Sequence, residues 1–128
     1  MMQQIANTPF YEITYLPRKN RIYFKVRGLW PSKRSIPNYI MDWRKALTVT
    51  QKRFSVLSDL SDMEAHPNDI KEFHEKVEEL LNRAGVLKTA EVLADNKLHP
   101  FETPMKETTK FETLQAADRW LDYSTATA

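Results

Sequence analysis

The stretch FSVLSDLSDMEAHP, Phe54 to Pro67, is where the chain changes character. Phe54 to Leu60 is a compact apolar run with the length and composition of an inner strand. It gives way to Asp59, Ser61, Asp62, Glu64 and His66, and then to Pro67, which suits the first turn of a helix, where a missing amide hydrogen loses nothing. A strand that hands over to a helix needs a crossover to reach its next neighbour, and crossovers build parallel sheet.

Upstream, Tyr11, Ile13 and Tyr15 alternate with Glu12 and Thr14, and Ile22, Phe24 and Val26 alternate with Tyr23, Lys25 and Arg27. Pro17 to Asn20 between them is turn chemistry, so the spacing predicts an antiparallel hairpin with its charges on the exposed side. Gly28 ends the second strand or lets it bend. Ser35 is the expected cap of a first helix, with Pro37 in its first turn and Ile36, Tyr39, Ile40, Trp43 and Leu47 along one face.

Downstream, Ile70, Phe73, Val77, Leu80, Leu81 and Ala84 form the apolar stripe of a second helix, and Gly85 stands where a left-handed C-cap belongs. Val86 to Ala94 reads as a strand, followed by a loop from Asp95 to Thr108 that holds Pro100 and Pro104. Thr109 and Glu112 have capping-box spacing for a last helix bearing Phe111, Leu114, Ala117 and Leu121, and the tail from Ser124 is expected to fray. The order ββαβαβα predicts an α/β fold with a mixed, mostly parallel sheet. Residues 1–128 are expected to form one domain, with an ordered core from about residue 9 to 122.

The composition excludes several chemistries. The chain has no cysteine, hence no disulfide, thiolate metal site or cysteine nucleophile. Its two glycines, Gly28 and Gly85, stand far apart, so no glycine-rich loop cradles a phosphate. No apolar stretch reaches the length of a membrane span, and the first residues have neither a basic region nor an apolar signal core. A cytoplasmic location is therefore expected. The charge is uneven: residues 1–53 carry eleven Lys and Arg against Glu12 and Asp42, a net +9, and the remainder a net −7. That pattern fits nucleic acid, acidic lipid, or surfaces complementary within the molecule or between copies, and a solvated face is the reading preferred here.

Ligands of open α/β sheets bind beyond the carboxyl ends of strands. Asp59, Ser61 and Asp62 are expected at one such end and Asp95 with Asn96 at another, so these side chains would share a rim. Oxygen ligands of this kind suit magnesium or calcium, but their spacing matches no calcium loop, and strand-to-helix turn chemistry accounts for Asp59 and Ser61. No metal or cofactor is predicted. His66, His74 and His99 do not share a helical face, and no serine stands with them in a nucleophilic constellation. Aromatic and basic residues on the hairpin suggest an RNA-stacking sheet, but the glycines of that signature are missing, and nucleic acid is not the favoured partner. Trp30, followed by Pro31, is a candidate interface anchor.

Taken together, Gly28-Leu-Trp30, a helix with Trp43, "FSVLSDLSDM", a helix ending "LLNRAGV", "KTAEVLAD" and a closing "FETLQAADRWL" resemble a small stand-alone domain of the STAS superfamily, in its SpoIIAA-like branch. The resemblance runs from Tyr11 to Leu121. It implies a domain without catalytic machinery of its own, acting in regulation and protein interaction. In the anti-sigma-factor antagonists of that superfamily a kinase phosphorylates a serine after the third strand, and Ser61 is the nearest counterpart. The segment here, Asp59-Leu60-Ser61-Asp62-Met63, has neither the glycine nor the consecutive hydroxyls of that motif. Some relatives are proposed to bind small apolar ligands, and the 95–108 loop, with Leu98, Phe101 and Met105, offers a lid for one.

The expected function is a non-enzymatic regulatory or interaction domain whose partner is another protein or a second copy, in a homodimer. The alternative is a carrier or sensor of a small apolar or acidic, lipid-like ligand under the 95–108 loop. The candidate binding residues are Asp59, Ser61, Asp62, Asp95, Asn96, Phe101, Met105 and Trp30, with Ser61 also the candidate phosphorylation site.

Overall fold

Strands β1 (Gln3–Asn7), β2 (Tyr11–Leu16) and β3 (Arg21–Gly28) open the computed structural model, which describes residues 2–63, 68–93 and 108–126. β2 and β3 form the hairpin predicted from alternation, with Tyr11, Ile13, Tyr15, Ile22, Phe24 and Val26 buried on one face. Pro17–Lys19 make a 3-10 turn, and Asn20 closes it in left-handed backbone at φ 50°. The Asn20 side chain accepts hydrogen bonds from the Tyr15 hydroxyl at 2.7 Å and the Gln51 amide at 3.0 Å.

The chain continues through α1 (Tyr39–Leu47), β4 (Ser55–Met63), α2 (Asn68–Ala84), β5 (Lys88–Val92), β6 (Thr108–Phe111) and α3 (Leu114–Ala126). The six strands lie in sequence order. β1, β2 and β3 pair antiparallel, and β3 to β6 pair parallel. Mixed sheet with crossovers is the predicted architecture, and the sheet is mostly parallel beyond the hairpin.

Five details differ from expectation. β1 was not foreseen: within it only Ile5 is buried, so there is no alternation to detect. α1 begins at Tyr39, not Ser35, because a residue preceding proline disfavours helical backbone, and Ile36 precedes Pro37. β4 runs on to Met63, paired with β3 through Gly28 and Met63 past an irregularity in register. β6 was not foreseen either: Thr109 and Phe111, both expected in the last helix, lie in it, and Thr113 caps α3 instead, its Oγ1 accepting from the Ala116 amide at 3.1 Å. Residues 124–126, expected to fray, continue α3.

Two cores result. On one face α1 and α2 cover an aromatic centre in which Tyr11, Trp30 and Tyr39 meet edge-on or tilted, with centroids 5.1–5.7 Å apart. On the other face Ala117 and Leu121 of α3 pack on Leu57, Ala90 and Val92. α3 is also held by charge. Arg21 is fully buried, and its guanidinium donates to Ser55 at 2.8 Å, to Asp122 at 2.8 Å and to Asp118. Lys19 reaches both aspartates at 3.1 Å, and the Tyr23 hydroxyl donates to Asp118 at 2.6 Å.

Candidate functional site

Ser55 to Met63 of the stretch FSVLSDLSDMEAHP form strand β4. Asp59 is buried within β4, and its Oδ1 accepts both the Ser61 amide, at 3.1 Å, and the Ser61 hydroxyl, at 2.6 Å. Between the pairs Lys25–Asp59 and Arg27–Asp62, β4 carries one residue more than β3. That extra residue leaves an amide without a ladder partner, and the Asp59 carboxylate takes it. Asp59, Ser61 and Asp62 therefore lie in the strand rather than in a loop beyond it. Asp62 is exposed and stands 4.0 Å from Lys25.

A phosphate on Ser61 would replace the hydrogen that binds Asp59 with negative charge. Trp30 has no exposed surface: its indole donates to the Phe10 carbonyl at 2.8 Å inside the aromatic centre. Asp95, Asn96, Phe101 and Met105 lie outside the described residues.

What the structure assembles is a cleft on the α3 side of the sheet. Alternation puts Glu12, Thr14, Tyr23, Lys25, Leu57 and Asp59 on that face, and α3 begins only at Leu114. The cleft holds about 210 Å³, with those strand residues as floor and Met2 and Leu114 as walls. Met2 and Leu114 are 49% and 47% exposed. Glu12 pairs with Arg27 at 3.7 Å, a partly exposed contact that holds little energy. The floor is thus polar and mixed in charge, between two apolar walls.

On the opposite face a crevice of about 50 Å³ lies among Phe24, Tyr39, Trp43, Ser58, Glu78 and Glu91. The Tyr39 hydroxyl and His74 Nδ1 share a buried hydrogen bond of 3.1 Å at its margin. Burial pushes the Tyr39 phenol well above its ordinary value, so it remains neutral. Sequence reasoning found neither opening. Met2 precedes the unforeseen strand, Leu114 was assigned to the core, and Trp43 and Tyr39 read as helical packing residues. The one signal in the sequence is His74 itself, a histidine next to Phe73 in the helix whose apolar stripe includes Phe73 and Val77.

Among the described residues no group of three or more His, Cys, Asp or Glu is arranged to hold a metal ion. Among them, too, no helix is long and apolar enough to cross a membrane.

Comparison with solved structures bears on this arrangement. An uncharacterised protein of the DUF3478 family from Shewanella loihica PV-4, described as having a SpoIIAA-like fold, superposes with a TM-score of 0.63. The match covers 91% of this chain and 97% of that one, at 15% identity. The fold is SpoIIAA-like. No family model and no curated protein matches the sequence. In SpoIIAA-like terms the cleft occupies the α3 face near the hairpin, and the crevice lies beneath the two helices of the other face.

Proposed function

We propose that this chain is a non-enzymatic interaction domain with a regulatory role, and that its contact surface is the cleft between Met2 and Leu114. The observation that carries the reading is two half-exposed apolar walls over a mixed-charge floor. Pockets that enclose drug-sized molecules hold about 300–1,000 Å³. At about 210 Å³ the cleft suits one large side chain of a partner protein better than a lipid-like ligand. Glu12 is paired with Arg27 and Asp62 with Lys25, which leaves Asp59 as the carboxylate of the floor with no ion pair among the described residues and favours a Lys or Arg next to the inserted side chain. The partner is therefore a protein segment presenting one large apolar residue flanked by a cation.

The SpoIIAA-like fold supports this reading, since the resemblance implies regulatory and interaction modules. The basic half of the chain is in part spoken for. Lys19 and Arg21 pair with Asp118 and Asp122, Lys25 with Asp62, and Arg27 with Glu12. Nucleic-acid binding loses those charges. The lipid-like alternative placed its pocket under residues outside the described ones, and nothing in the described residues favours it.

Selection of random peptides on the immobilised full chain tests the proposal. The expected consensus is an aromatic or large aliphatic residue beside Lys or Arg, lost with Leu114→Asp and kept with Met41→Asp, a change at an exposed position on α1. Peptides indifferent to Leu114→Asp, an acidic consensus, or no enrichment would overturn it. Concentration-dependent dimerisation abolished by the same substitution would instead make a second copy the occupant.

A further inference from the structure

Asp59 stands in the floor of the cleft, and what it offers to an entering cation is set by Ser61. Asp59 is 8% exposed, shares a face of β4 with Leu57, on which α3 packs, and lines the cleft. Its Oδ1 accepts the Ser61 amide at 3.1 Å and the Ser61 hydroxyl at 2.6 Å. A carboxylate has about four lone-pair sites over its two oxygens, so these two bonds fill Oδ1. Oδ2 accepts no hydrogen bond from the described residues. The Lys25 ammonium, on the neighbouring strand, makes its ion pair with Asp62 instead, at 4.0 Å.

Lysine and arginine use a carboxylate differently. Arginine gains most from a fork of two parallel hydrogen bonds, one to each oxygen. With Oδ1 filled, Asp59 cannot receive that fork, and the other guanidinium N–H groups would lie between the apolar walls Met2 and Leu114. A lysine ammonium is a compact charge that needs one oxygen, and its flexible stem packs along apolar surface. Weaker hydration favours arginine where water is shut out. Here both walls are half-exposed, so an ammonium on Oδ2 keeps water on its remaining hydrogens.

We propose that the cation taken by the cleft is a lysine, and that Ser61 is the positioning residue that selects it over arginine by occupying Asp59 Oδ1. This selection rests on the reading of the cleft as the contact surface.

NMR titration of the full chain tests it with three probes: acetyl-phenylalanyl-lysine amide, its arginine counterpart and its glutamine counterpart. The Leu114 methyl shifts report entry into the cleft, and the Ser61 amide shift reports contact at Asp59. The lysine probe should bind about fivefold more tightly than the arginine probe, a difference of one net hydrogen bond, and the glutamine probe more weakly than either. Ser61→Ala keeps the backbone bond to Oδ1 but frees one lone pair, so the lysine preference should disappear. Ser61→Thr keeps a hydroxyl and should retain it. Equal affinities in the wild-type chain, or a preference that survives Ser61→Ala, would overturn the role of Ser61 and leave the cleft standing. Absence of a Leu114 shift with every probe would overturn the cleft itself, and the lysine assignment with it.

Discussion

Arg21 is fully buried, and it survives there because Asp118, Asp122 and Ser55 all receive its hydrogen bonds. A buried guanidinium stripped of one carboxylate keeps its desolvation penalty, so the pair matters most when half of it is lost. Asp118→Asn should cost about 1.5–3 kcal/mol of unfolding free energy, the range for hydrogen bonds to charged groups. Asp122→Asn, at the more exposed carboxylate, should cost less than about 1 kcal/mol. Urea midpoints at constant slope measure both, and equal losses would show that Asp118 has no special part. None of this was legible in the sequence. Arg21 and Asp118 are far apart along the chain, and the alternation of the hairpin assigned charges to an exposed face. Asp59 and Ser61 were the reverse case: side-chain hydrogen bonding was expected of both as strand-to-helix turn chemistry, whereas they bond to one another inside a strand that runs past Leu60 to Met63.

Among the elements, α2 was the most legible, because its stripe and its stop signal agree. Gly85 sits at φ +90°, the Val86 amide reaches the Leu81 carbonyl at 3.1 Å, and the Gly85 amide reaches Asn82 at 3.3 Å. This is the Schellman arrangement, with Leu81 and Val86 in the same apolar cluster. A Cβ at Gly85 would meet nothing nearer than the Lys52 side chain at 3.9 Å, so the penalty of substitution is conformational rather than steric. Gly85→Ala should therefore lower stability by about 1–2 kcal/mol, the usual cost of left-handed backbone in an L-residue. Thermal unfolding checks it, and an unchanged midpoint would contradict the left-handed cap. Short edge strands were the illegible elements. β1 has one buried side chain, and β6 spans four residues, too few for a period of two to register.

At the scale of the molecule, the basic first half and acidic second half meet within the fold, most visibly where the hairpin holds α3. That junction titrates. Partial burial disfavours the Asp118 carboxylate, but hydrogen bonds from Tyr23, Lys19 and Arg21, with the Arg21 charge, outweigh burial and hold its carboxyl below the usual range. A carboxyl more acidic folded than unfolded contributes fully above its unfolded value of about 3.9, and the contribution is lost as pH falls through the folded value. Burial, then Asp118, push the Tyr23 phenol up to about 12. Its contribution is full below the unfolded value of about 10 and is lost as pH rises toward the folded one. Stability should thus fall below about pH 4 and above about pH 10, with the acid limb flatter in Asp118→Asn; parallel acid limbs would remove Asp118 from the account. The SpoIIAA-like architecture was legible as a pattern of alternating elements, whereas the cleft was not, since it needs β1 and the starting point of α3. Its role is most directly tested by calorimetric titration of a selected apolar-and-cationic peptide into the wild-type chain and into Leu114→Asp. Binding to Leu114→Asp should be at least tenfold weaker, about 1.4 kcal/mol, with Met41→Asp unchanged; equal affinity for all three proteins would rule the cleft out as the contact surface.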